Sequence, residues 1–94
     1  MTLMRLELLS RHRIRDPGLG LNEPSGLTLN GDGSALYTIS DDTKAIFRLD
    51  LQGRVSVSNS FFIGIDNLEG IAIRGDDSEL LVVQEASKSL VWWI

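Results

Sequence analysis

Glu23-Pro24-Ser25-Gly26-Leu27-Thr28-Leu29-Asn30-Gly31-Asp32-Gly33-Ser34-Ala35-Leu36 has a counterpart later in the chain, Asn67-Leu68-Glu69-Gly70-Ile71-Ala72-Ile73-Arg74-Gly75-Asp76-Asp77-Ser78-Glu79-Leu80. A shift of 44 positions aligns the two without a gap. Over residues 26–50 against 70–94, six of 25 positions are identical: Gly26/Gly70, Gly31/Gly75, Asp32/Asp76, Ser34/Ser78, Leu36/Leu80 and Lys44/Lys88. Others keep their character, as in Leu27/Ile71, Leu29/Ile73, Ile39/Val83, Asp41/Glu85 and Ile46/Leu90. The match also runs backwards through Leu19/Ile63, Gly20/Gly64 and Leu21/Ile65. Glycines, turn residues and apolar phase agree together, which identifies an internal duplication.

Each unit reads as short strands divided by turns. In the first, strands are expected over residues 25–30, 35–40, 45–51 and 54–62. Asn30-Gly31-Asp32-Gly33 carries the Asn-Gly and Asp-Gly signals of a tight hairpin. In the second, strands are expected over 68–74, 79–85 and 90–94, with a turn at 75–78. Residues 2–14, with Leu3, Leu6, Leu8 and Ile14, read as an outer strand of a preceding unit. No stretch sustains an apolar stripe at i, i+3, i+4, i+7, so no helix is expected.

Four short strands at a period in the low forties is the pattern of a β-propeller blade, and the expected fold is all-β. The chain divides into the outer strand at 2–14, a first blade at 20–62 and a second, truncated blade at 63–94. A propeller closes with about four to eight blades. The chain is therefore expected to be an incomplete propeller, or one that closes by self-association; a trimer of two-blade units makes six blades.

Composition excludes much. Thirteen acidic against nine basic side chains give a net charge of −4. Residues 1–15 carry four Arg and one Glu, so the remainder sums to −7. That balance argues against nucleic acid as a partner, since a phosphate backbone needs a basic face. No cysteine is present, which excludes a disulfide scaffold and a thiolate metal site. No apolar run approaches the ~20 residues of a membrane span. Arg5 and Glu7 interrupt residues 3–9, so no signal peptide is read there.

The candidate chemistry lies at the blade starts. The first strand of a blade usually lines the central channel, and a carboxylate at its start points towards the mouth. Glu69 directly precedes Gly70, and Glu23 stands three before the equivalent Gly26. These acids supply hard oxygen ligands suited to Ca²⁺, though a full set of six to eight oxygens needs further blades. The competing reading is that both simply hydrogen-bond neighbouring backbone. Asp41 and Asp42, with Glu85 at the equivalent place in the second unit, either join an acidic cluster at the mouth or lie in solvated turns. Ser25 is a further ligand-binding candidate at the same place; as a nucleophile it needs a base, and His12, the sole imidazole, lies in an Arg-rich segment. Arg11, His12, Arg13 and Arg15 read as a charged edge that resists edge-to-edge pairing. Trp92, Trp93, Phe61 and Phe62 read as packing between blades.

Glu23-Pro24-Ser25-Gly26-Leu27-Thr28 and Asp66-Asn67-Leu68-Glu69-Gly70-Ile71-Ala72 resemble the blade openings of the SdiA-regulated family of bacterial propellers. Ser40-Asp41-Asp42 and Ile46-Phe47-Arg48-Leu49-Asp50 fit the same pattern, and the resemblance covers roughly residues 20–94. Trp92-Trp93 departs from it, since a Tyr-containing strand is usual there. The resemblance implies a six-bladed propeller, membrane-anchored or exported, so that the cell envelope is the implied location. Related propellers include phytase-like esterases and calcium-dependent lactonases, which implies a metal or small ligand at the channel mouth. Three readings follow. The first is a non-catalytic binding or envelope-associated module. The second is part of a calcium-dependent hydrolase with Glu69 and Glu23 as ligands. The third is a truncated reading frame, because the sequence stops within the apolar run Val91-Trp92-Trp93-Ile94.

Overall fold

Alternating apolar residues bounded by turn formers leave each short segment one face to bury as a strand. The computed structural model describes residues 6–14, 18, 21, 23–40 and 43–93. It is all-β, with seven strands and no α-helix among those residues. The first sheet is an antiparallel meander of β1 (Pro24–Leu29), β2 (Leu36–Ser40), β3 (Thr43–Leu49) and β4 (Val55–Phe62). The second orders β5 (Leu68–Ile73), β6 (Leu80–Gln84) and β7 (Ser89–Trp93) in the same way. Both ends of β5 and of β6 lie 44 residues after those of β1 and β2. Register repeats as well: Leu27↔Thr38 and Leu29↔Leu36 become Ile71↔Val82 and Ile73↔Leu80. These are two propeller-type blades.

The Asp–Ser bonds of the two hairpin turns repeat. Asp32 Oδ1 accepts the Ser34 amide at 3.0 Å and its hydroxyl at 2.5 Å; Asp76 Oδ1 accepts the same two bonds from Ser78. Such side-chain bonds to the following backbone hold a turn without help from tertiary contacts. Equivalent positions of the two turns take positive φ, 75° at Gly33 and 62° at Asp77. Glycine adopts that region freely, and Asp is among the few others that tolerate it.

Each sheet has two distinct faces, because successive residues of a strand point to opposite sides. The face of the first sheet bearing Ile39 and Ile46 packs on the face of the second bearing Leu68, Val82, Val91 and Trp93. Ile39, Ile46, Leu68 and Val82 are fully buried there. Burying each such side chain contributes about 1.5–3 kcal/mol. On the opposite face of the first sheet, Ala45, Phe47 and Leu49 are covered by Leu21 and Ile14. Leu21 and Ile65 are equivalent in the repeat, and Ile65 packs in the same manner between the sheets.

The outer strand expected over residues 2–14 is not seen in its described part. Residues 6–14 carry no strand, Leu6, Leu8 and Leu9 are exposed, and residues 2–5 lie outside the described residues. A strand exists only where a second backbone completes its ladder, and this segment pairs with neither sheet. Arg13 and Ile14 lie instead against Gly53, in the turn between β3 and β4.

Candidate functional site

β1 and β5 begin at the same edge of the two-sheet stack, where β2 and β6 end. They also lie against each other: a Cβ at Gly26 would stand 3.5 Å from Gly70 Cα and 3.4 Å from Ile71 Cγ2. The Ile73 amide donates to Thr28 Oγ1 at 3.1 Å, and the Gly31 amide donates to Asp77 Oδ1 at 2.6 Å. These bonds fix the first strand of one blade against that of the next.

The common edge holds Glu23, Ser25, Glu69 and Glu85 of the candidates that sequence reading singles out. Ser25 Oγ donates to the Glu69 carbonyl at 3.4 Å, joining the two blade starts. The Glu23 amide donates to Ser40 Oγ at 3.4 Å, with Ser40 itself fully buried. The Glu85 amide donates to the Asn67 carbonyl at 3.0 Å, so the β6–β7 turn sits on the segment leading into β5. Glu23, Glu69 and Glu85 are exposed at the edge. Asp41 and Asp42 lie outside the described residues. Among the described residues no three Asp, Glu or His side chains gather into a group suited to a metal ion.

Two polar residues of this region go unread in the sequence. Asp66 Oδ1 accepts a bond from Gln84 Nε2 at 3.2 Å, tying the linker before β5 to the end of β6. Its place in the Asp66-Asn67-Leu68-Glu69-Gly70 motif was the available signal. Thr28, whose hydroxyl bridges the sheets, carries no signal, since Thr is ordinary in a strand. His12 lies beside Gly53, in the turn at the opposite end of the first sheet from Ser25.

A second feature is apolar. Tyr37, Ile46, Phe61, Ile63, Ile73 and Trp93 line a cleft of about 180 Å³ between the sheets, bordered by Asp77 and Glu79. Trp93 Nε1 is buried there without a hydrogen-bond partner.

Two antiparallel blades stacked face to face, with first strands adjacent and acids at their starts, define a partial β-propeller. The sequence pattern of the SdiA-regulated family matches residues 11–93. The chain belongs to that family. No curated protein matches the chain. No helix among the described residues is long and apolar enough to cross a membrane.

Proposed function

We propose that the chain serves as a non-catalytic binding module, with ligand contacts carried by the edge of Glu23, Ser25, Glu69 and Glu85. The observation that supports this reading is the Ser25–Glu69 bond, which makes one surface of two blade starts. Exposed carboxylates there favour a cation or a ligand rich in hydroxyl and amine donors. Envelope association, which the family resemblance implies, belongs to the same proposal.

A second reading keeps the same residues as part of a calcium-dependent hydrolase. Glu23 and Glu69 at corresponding blade starts favour it, because a bound cation there polarises an ester or phosphate oxygen. One experiment separates the two. Phosphomonoester, ester and lactone probes are incubated with the chain, with and without calcium, beside a Glu69→Gln variant. The binding-module reading expects no hydrolysis in any sample. It also expects amide shifts at Glu23, Ser25 and Glu69 on adding calcium, with a weak affinity of about 10⁻³ M. Calcium-dependent turnover that Glu69→Gln abolishes establishes the hydrolase instead.

A further inference from the structure

The contact between the two sheets inside the chain has a counterpart that is exposed on the far face of the second sheet and partly exposed on the outward face of the first. Inside, Ile39 and Ile46 of the first sheet are 0% and 1% exposed beneath the second sheet. Their equivalents 44 positions on, Val83 and Leu90, are 38% and 66% exposed on the far face of the second sheet. Trp92 lies on that face too, 53% exposed, with the Arg74 guanidinium 5.8 Å from its ring.

The other half of the internal contact is repeated in the same way. Ile71 packs against the core between the sheets, and Ile73 lines the cleft beside it. Their equivalents Leu27 and Leu29, on the outward face of the first sheet, are 52% and 51% exposed. One chain thus presents two apolar faces that differ from each other. Each holds equivalents of residues from one half of the joint already formed within the molecule; beside Leu27 and Leu29, however, Phe47 and Leu49, the equivalents of Val91 and Trp93, are already covered by Leu21 and Ile14.

We propose that copies of this chain associate head to tail, with Val83, Leu90 and Trp92 of one seated on Leu27 and Leu29 of the next. The internal joint is the template for the external one. A head-to-tail contact repeated at a constant angle closes into a ring when the rotation allows. Propellers close with about four to eight sheets, so a ring of this two-sheet chain holds about two to four copies. The polar bonds of the internal joint do not carry over, because Ala72 replaces Thr28 and Gly33 replaces Asp77 at the corresponding positions. The external joint therefore rests on apolar burial and loosens on dilution.

The test is light scattering on the purified chain over a wide concentration range, beside Leu90→Glu and Leu27→Glu. Both substituted side chains are exposed, and circular dichroism checks that each variant keeps its strands. Val83→Lys and Leu29→Lys repeat the test on each face. The expected result is a discrete species of about two to four times 10.4 kDa, reduced to the single-chain mass in every variant. Mixing Leu90→Glu with Leu27→Glu then restores a 1:1 dimer, since each retains the face that the other has lost. A wild-type monomer at all concentrations overturns the proposal and leaves these faces to further blades or to another protein. So does an assembly that the variants leave intact, and so does failure of the complementary pair to associate.

Discussion

Gly31 and Gly75 occupy the same position in the two units, yet their surroundings are opposite. A Cβ on Gly31 runs into the backbone carbonyl of Gly75, whereas a Cβ on Gly75 meets nothing within 4 Å. Backbone cannot rotate aside as a side chain can, so the two turns must separate to admit the extra carbon. Gly31→Ala is expected to cost about 1–3 kcal/mol, and Gly75→Ala is expected to fall within about 0.5 kcal/mol. Urea melts of the two variants check this; equal effects would mean that the turns do not touch. The repeat shows that both glycines suit a turn. It does not show that one turn lies on the other.

At the scale of the strand and its turn, three carboxylates do the same work. The Ser34 hydroxyl holds Asp32 below the ordinary carboxylate range, and the Ser78 hydroxyl does so for Asp76. For Asp50 the main cause is the Arg54 amide, which it accepts at 2.9 Å. A carboxyl with a lowered folded-state value stabilises the fold while it is ionised. That contribution is present above about pH 4 and is lost as the pH falls through the lowered values. Thermal melts are therefore expected to fall on acidification below that point. The double variant Asp32→Asn, Asp76→Asn is expected to melt lower at neutral pH and to lose less on acidification. An unchanged acid slope would show that other groups carry it. The strands between these turns were legible because β-strand periodicity and Asp-Ser turn chemistry are local properties. The expected strand at 2–14 is a different case, because its pattern is apolar but its partner is not adjacent in sequence.

For the whole molecule, one of the two buried cores lies where the sheets meet. Ile39 and Ile46 from one blade and Leu68 and Val82 from the next form one core, so neither sheet buries that face alone. Ile39→Ala is expected to cost about 2–5 kcal/mol and to lower the melting of both sheets in one transition. Val57→Ala, at an exposed site of β4, is expected to change stability by less than about 0.5 kcal/mol. Two separate transitions in the Ile39→Ala variant would mean that the blades fold independently.

The sequence by itself determined the family, the all-β class and the repeat. Strand period, turn chemistry and repeat spacing each act over a few residues or recur at a constant interval, so they can be read along the chain. Only the tertiary structure decided that Ser25 meets the Glu69 carbonyl, that Thr28 bridges to Ile73, and that Gly31 lies on Gly75. It also decided which apolar face of each sheet is covered. Those outcomes depend on how one sheet is laid on the other, and contacts across 44 residues leave no local pattern to read.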